Sequence, residues 1–354
     1  MKPLKVLIVD DSAIVRKLLA DGLRRHRDIE VVGAASDPFV ARDMIVRIEP
    51  DVLTLDIEMP RMDGISFLKR LMAHRPMPVI IVSSLTQAGS AASIEALRGG
   101  AFDVIPKPGG PYSTGEVVEI LADRIRSVRG VSMERFAKRA SMPVKSAAKV
   151  AFRSTKAMDG ILAIGASTGG PQAIETVLTR LPVETPPIVI VQHMPPLFTK
   201  AFADRLDQSC TIRVVEAAGG ERLEPGVAYV APGDRHLLVE RNGLRLELRL
   251  TDGPAVHHQR PAVDVLFHSL ARLRGVPIVA LLLTGMGQDG ADGMVALKQG
   301  GAETIAEDER SCVVFGMPRE AITRGGATHV STLLRMPALI PECFARLTNS
   351  LVAR

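Results

Sequence analysis

Only three of the 354 residues are cysteine: Cys210, Cys312 and Cys343. They are too widely spaced to form a metal-ligand pair, and they suit a reducing compartment in which each is a small apolar side chain. Aromatic residues make up 3% of the chain, which leaves little material for stacking on nucleic-acid bases. No uncharged apolar run approaches the roughly 18 residues needed to cross a bilayer. The N-terminal MKPLKVLIVDDS meets an acidic pair before a signal-peptide core is complete. A cytoplasmic protein without membrane insertion is expected.

Apolar material is plentiful, at 46% of the residues, and a chain of this length exceeds what one core usually holds. Two domains are the natural division. The net charge of +5 is unevenly spread: Arg124 to Lys156 carries ten Lys and Arg against the single acid Glu134, so the remainder is acidic on balance. Basicity thus belongs to one segment, read as a solvated tether over 127–156 between domains at 1–126 and 157–354, and nucleic acid is not an expected partner. Within the tether, Ser132 to Ala140 has the apolar spacing of one short helix.

In the first domain, the apolar run Lys5 to Val9 ends in Asp10 and Asp11, with Ser12 placed to cap a helix that starts at Ala13. Val31 to Ala34 is a second strand and Pro38 to Ile48 a helix. A third strand, Val52 to Leu55, runs into Asp56. This alternation predicts βαβ units and a parallel sheet, with ligands bound outside the carboxyl ends of the strands. Three carboxylates converging there need a counter-ion, and hard oxygen ligands favour Mg²⁺. Val79 to Val82 delivers Ser83 to the same rim, and Ala101 to Ile105 delivers Lys107. A hydroxyl, an ammonium and a metal make a phosphate site in which one carboxylate is the phosphoryl acceptor.

In the second domain, Ile161 to Gln172 reads ILAIGASTGGPQ: an apolar run, a turn of small residues, then Pro171 opening a helix. The pattern Gly-x-Ser-x-Gly fits a nucleophile elbow presenting an exposed Ser167, and it fits equally a loop that cradles phosphate. Ile188 to Gln192 is a parallel strand with His193 just past its end, within reach of Ser167. Val276 to Leu283 is the most apolar strand, and it leads through TGMGQ to Asp289. If Asp289 accepts the Nδ1–H of His193, Nε2 is left to take the Ser167 proton. The order Ser, His, Asp differs from that of α/β-hydrolases, so the elbow does not import that fold. A dinucleotide-binding reading of GASTGG lacks the acid expected about 20 residues on. His257 and His258, near Asp252, lack a third ligand at metal spacing. Asn242-Gly243 joins His236–Glu240 to 244–248 as a hairpin expected to extend a sheet edge.

VLIVDDS, LDIEMPRMDG and VIPKP together resemble the receiver domain of two-component response regulators, a flavodoxin-like fold. The resemblance implies that Asp56 takes a phosphoryl group from a phosphohistidine on a kinase. It further implies that Asp10, Asp11, Asp56 and the backbone carbonyl of Glu58 hold Mg²⁺, and that Ser83 and Lys107 contact the phosphoryl oxygens. Val104 stands where many receivers carry an aromatic switch residue. IGASTGGP, VQHMP and LLLTGMGQDGADGM resemble the catalytic domain of chemotaxis protein-glutamate methylesterases, an α/β domain expected here to be Rossmann-like with a hairpin extension.

That second resemblance implies Ser167 as nucleophile, His193 as base and Asp289 as orienting acid, with Thr168 beside them and the Met286 amide in the oxyanion site. It implies glutamyl methyl esters of chemoreceptors as substrate, glutamine deamidation as a related activity, a chemotaxis histidine kinase as phosphodonor and no cofactor for hydrolysis. We expect a monomer whose receiver inhibits the enzyme until phosphorylated. Two rivals stand beside this reading. A transcriptional regulator would need a helix-turn-helix output, where this chain alternates strands and helices. A receiver-coupled esterase or amidase acting on another protein shares the same site chemistry.

Overall fold

The computed structural model describes residues 2–109, 113–129, 131, 160–243 and 245–352. Almost all of the expected tether, including the short helix at 132–140, lies outside the described residues. The chain divides into two compact units, Met1–Met142 and Pro143–Arg354. Among the described residues no helix is long and apolar enough to cross a membrane.

The first unit is a five-stranded parallel sheet of order β2-β1-β3-β4-β5. Its strands are β1 (Leu4–Val9), β2 (Ile29–Ala35), β3 (Val52–Leu55), β4 (Val79–Ser83) and β5 (Asp103–Pro106). The helices are α1 (Ala13–Leu23), α2 (Pro38–Ile48), α3 (Gly64–His74), α4 (Gln87–Arg98) and α5 (Thr114–Ser127). β3 and β4 are buried along their whole length, which is why they read as unbroken apolar runs without alternation. Ser12 caps α1 by accepting from the Val15 amide, and Asp37 caps α2 by accepting from those of Phe39 and Val40. The strand order is that of a flavodoxin-like sheet, whose direction reverses between β1 and β3 and opens a crevice there.

The second unit is a seven-stranded, wholly parallel sheet of order β14-β13-β12-β6-β7-β9-β8. β6 (Ile161–Ala166) lies between β7 (Ile188–Gln192) and β12 (Ile278–Leu282), and all three strands are buried throughout. The outer strands are β8 (Arg213–Glu216), β9 (Val227–Val230), β13 (Glu303–Glu307) and β14 (His329–Ser331). Helices α6 (Gly170–Leu178), α7 (Phe198–Ser209), α8 (Val263–Ala271), α9 (Ala291–Gln299), α10 (Met317–Thr323) and α11 (Met336–Val352) complete the unit. The chain leaves β6 toward β7 and returns on its other side at β12, so the Rossmann-like switch point falls between β6 and β12.

The Asn242-Gly243 hairpin forms, as β10 (His236–Asn242) and β11 (Arg245–Thr251), but it does not extend the main sheet. It is a separate two-stranded sheet. Leu237, Val239 and Leu248 join the core cluster that holds Leu266, Phe267 and Leu270 of α8, and the Val239 amide donates to Ser269 Oγ at 3.0 Å. An apolar face toward a helix thus outcompetes pairing at the sheet edge. The other edge of the hairpin is covered by residues 220–223, through Gly220 N to Leu248 O (2.7 Å) and Leu223 N to Leu246 O (3.0 Å).

Candidate functional site

Strand register builds the second unit's site. Ala166 pairs with Gln192 and Gly165 with Leu282, so Ser167, His193 and Thr284 emerge side by side just beyond three adjacent strand ends. The Ser167 amide donates to Thr284 O at 3.0 Å, and the His193 amide to Ala166 O at 3.1 Å. Gln192 clamps the turn, its Nε2 donating to the carbonyls of Ser167 (2.9 Å) and His193 (3.2 Å). Gly170 has to be glycine, because a Cβ there would lie 2.0 Å from Gln192 Oε1.

Ser167 is expected to be exposed, but it is 1% exposed. The roof comes from far along the chain: a Cβ on Gly285 would meet Ser167 Cβ at 2.7 Å and Met317 Sδ at 2.3 Å. Ser167 Oγ is buried without a hydrogen-bond partner among the described residues. An unsatisfied buried hydroxyl is costly and calls for an explanation. Thr168 is buried beside it, its carbonyl accepting from Thr284 Oγ1 at 3.0 Å. Thr284 Oγ1 also accepts the amides of Val313 and Val314, and the Thr284 amide donates to the buried Glu307 at 2.8 Å. Among the described residues the Met286 amide donates to no backbone carbonyl.

His193 and Asp289 form a buried pair, 2.7 Å apart, but through the other ring nitrogen from that expected: it is Nε2 that meets Asp289 Oδ2. The reason lies in the acid. Asp289 is drawn to the N-terminus of α8, where its two oxygens accept the amides of Val263 (2.6 Å) and Asp264 (2.9 Å). Helix α8 has no side-chain cap of its own at Ala262, so Asp289 supplies it from another element. The carboxylate therefore lies beyond the far edge of the ring, leaving Nδ1 as the nitrogen not engaged with it. Burial pushes the Asp289 carboxyl up, but the His193 hydrogen bond and charge and the two amides outweigh burial and hold it below its ordinary value. The acid is therefore ionised at neutral pH.

Of the residues weighed as rivals, His257 lies not with Asp252, which pairs with Arg235, but on Asp264, its Nε2 3.0 Å from Asp264 Oδ2. Gln192, Thr284 and Asp264 support the site, a role that no motif assigns them. Gln192 alone left a signal, as a lone amide closing the apolar run IVIV.

The first unit's site sits at its own switch point. Asp10, Asp11 and Asp56 offer oxygens all within 4.8 Å of one another. Lys107 Nζ lies 2.7 Å from Asp56 Oδ2 and 3.4 Å from Asp10 Oδ2. Among the described residues Asp10 Oδ2 is buried with that Lys107 ammonium as its ion-pair contact and no closer hydrogen-bond partner. Burial, with the Asp10 charge adding to it, pushes the Asp56 carboxyl up to about 6 despite the opposing Lys107. Burial likewise raises Asp10. One ammonium does not balance these acids, and an oxygen cluster short of positive charge fits a hard divalent cation. The Glu58 amide donates to Asp56 Oδ1 at 3.2 Å. Ser83 is fully buried and its hydroxyl donates to Gly89 O at 3.4 Å, so the structure brings Lys107 onto the acids but leaves the Ser83 hydroxyl turned to α4. Val104 is a buried core residue of β5.

Known proteins carry both halves. A family model described as response regulator receiver domain matches residues 6–119, and one described as CheB methylesterase matches residues 162–340. Protein-glutamate methylesterase/protein-glutamine glutaminase 2 of Syntrophus aciditrophicus is 50% identical over 93% of this chain and 96% of its own length. The Escherichia coli K12 protein-glutamate methylesterase/protein-glutamine glutaminase is 50% identical over 94% of this chain and 95% of its own. The crystal structure of the Thermotoga maritima CheB methylesterase catalytic domain, 41% identical, covers 52% of this chain and 97% of that one with a TM-score of 0.51. With likeness running through both units at nearly full length, this chain belongs to the protein-glutamate methylesterase/protein-glutamine glutaminase family, a receiver domain preceding its catalytic domain.

Proposed function

We propose that this chain is a phosphorylation-controlled hydrolase that removes methyl esters from glutamyl side chains of chemoreceptors, deamidates receptor glutamines, and uses Ser167, His193 and Asp289 to do so. One observation carries the residue assignment: an unpartnered buried serine hydroxyl at the end of β6, one strand from a histidine pinned to a buried carboxylate. In this reading Asp289 accepts Nε2–H of His193, which leaves the lone pair on Nδ1. Nδ1 takes the Ser167 proton as Oγ bonds to the ester carbonyl carbon, and the oxyanion is held by the Met286 amide, next to the Gly285 that packs against Ser167. The carbon–methoxy bond then breaks, His193 returns the proton, and methanol leaves. Water, deprotonated by the same nitrogen, attacks the acyl-serine and releases the glutamate. An amide substrate follows the same course with ammonia leaving. No hydrogen bond joins Ser167 to His193 here, and such bonds often tighten only when substrate binds.

Asp56 is the phosphoryl acceptor in this reading. Asp10, Asp11, Asp56 and the Glu58 carbonyl would hold Mg²⁺, which supplies the positive charge that phosphoryl transfer from a kinase phosphohistidine requires. Lys107 is already on Asp56, and the Ser83 hydroxyl turns from Gly89 to the incoming oxygens. The raised Asp56 carboxyl signals a site short of compensating charge. Histidine kinase and receptor tails place the protein in the cytoplasm, and phosphorylation relieves inhibition by the receiver through a shift between two domain arrangements.

Methanol release from methylated receptor membranes tests this directly. Wild type is expected to release methanol faster with a phosphodonor, while Ser167→Ala loses at least about a thousandfold in rate. Unchanged release by Ser167→Ala removes the nucleophile assignment. A phosphodonor effect that survives in Asp56→Asn removes the switch.

A further inference from the structure

Asp289 is held by a second histidine–carboxylate pair. His257 Nε2 lies 3.0 Å from Asp264 Oδ2, and the Asp264 amide is one of the two that bind Asp289. The support is reciprocal: Asp289, just ahead of α9, accepts two amides at the start of α8, while Asp264, at the start of α8, accepts the Gly293 amide of α9 at 2.7 Å. Each carboxylate ties down the other's helix. Asp264 is nearly as buried as Asp289, and only its histidine reaches solvent, at 27% side-chain exposure.

The imidazole is itself oriented. Gln288 Nε2 approaches His257 Nδ1 at 3.4 Å, while Gln288 Oε1 accepts from Arg324 at 2.5 Å. An amide whose oxygen is taken by arginine presents its N–H₂ to Nδ1, so Nδ1 accepts and Nε2 carries the proton that Asp264 receives. The backbone reinforces the case. Val256 and Gln259 exchange both amide bonds, and between them His257 and His258 stand at φ +52° and +60°. That tight turn favours asparagine and glycine; two histidines in left-handed backbone are strained, and strain of this kind persists where a side chain is needed.

We infer that His257 is a positioning residue for hydrolysis: it fixes Asp264, whose amide fixes Asp289, which sets the His193 ring. The inference rests on the triad reading above. Asp264 is raised chiefly by burial, with the Asp289 charge adding to it, while the Gly293 and Gly290 amides and the His257 hydrogen bond oppose. Losing the His257 donor leaves a buried carboxyl less well held, immediately beside the triad acid. The Asp289 carboxylate then wanders by tenths of an ångström, and the loss falls on the chemical step and not on substrate binding.

The test uses the full-length protein and methylated receptor membranes. His257→Gly suits the left-handed backbone and removes the imidazole, while His257→Gln returns an N–H of similar reach. His257→Gly is expected to lower kcat about tenfold, the value of one hydrogen bond to a charged group, with KM within twofold of wild type. His257→Gln is expected to recover to within about threefold. An unchanged kcat in His257→Gly, or a loss that His257→Gln does not restore, overturns the inference. Ser167→Ala run in parallel separates the two failures: if it stays active the triad reading is wrong, and if it is dead while His257→Gly is fully active only the role of His257 is wrong. Gln288→Ala, which removes an exposed contact and leaves the core intact, provides a second check. An intermediate fall in kcat is expected of it, and no fall counts against the relay.

Discussion

Asp56 illustrates how burial beside a second acid raises one carboxyl at a cost in stability. Its carboxyl is pushed from 3.8 to about 6, first by burial and then by Asp10, and Lys107 only partly offsets this. Between those values the folded state holds a proton that the unfolded chain has released. Stability therefore falls as pH rises from 3.8 to about 6 and is flat above. At about 1.4 kcal/mol per pH unit the loss is roughly 3 kcal/mol in the absence of divalent cations. Denaturant unfolding of the receiver transition at pH 4 and pH 7 without metal should show this decline, and Asp56→Asn should reduce it, leaving the part due to the raised Asp10, and stabilise the receiver at neutral pH. Adding Mg²⁺ at pH 7 should restore much of the difference in wild type and little in Asp56→Asn. A receiver whose stability rises over that interval would contradict the assignment of the shift to Asp56. At the same scale, the His193 ring shows where inference from spacing ends. Rim positions of Ser167, His193 and Asp289 follow from three apolar runs, but which nitrogen meets the acid depends on Asp289 being drawn toward α8, and no local pattern encodes that.

Among elements, the elbow between β6 and α6 depends on contacts with β7. A methyl at Gly170 would collide with Gln192 Oε1, the side chain that clamps the carbonyls of Ser167 and His193. Gly170→Ala is expected to cost about 1–3 kcal/mol in urea unfolding of the catalytic transition and to lower kcat at least tenfold, because relief of the clash moves the clamp. A fully active, equally stable Gly170→Ala would show that the turn has slack. The strands themselves were legible because a parallel sheet covered on both faces demands continuous apolar runs, and β3 and β7 match their runs residue for residue. The hairpin was legible from Asn242-Gly243, but its docking was not. Whether Leu237 and Val239 face a sheet edge or α8 is decided by residues about 30 positions away, and the burial of Ser167 beneath Gly285 by residues more distant still.

At the scale of the whole molecule, the acidic cluster around Asp56 and the Ser167, His193 and Asp289 group occupy equivalent places in two sheets of the same kind, each outside the carboxyl ends at a reversal of strand order. The two sites differ in what the rim carries: acids around a cation in one, a hydroxyl and an imidazole in the other. In the second sheet the three groups stand beyond the ends of neighbouring strands although His193 and Asp289 are 96 residues apart in sequence. The distant strand β12 must pair with β6 before they meet, and such long-range pairing is slow. On refolding from urea, far-UV ellipticity is expected to recover ahead of methanol release; coincident recovery would mean that the rim assembles with the first secondary structure. The arrangement also has a consequence during synthesis. In the proposed reading, a ribosome-bound chain that has emerged only as far as β9 displays the serine and histidine without their acid, so full hydrolytic competence waits for the segment that carries Asp289.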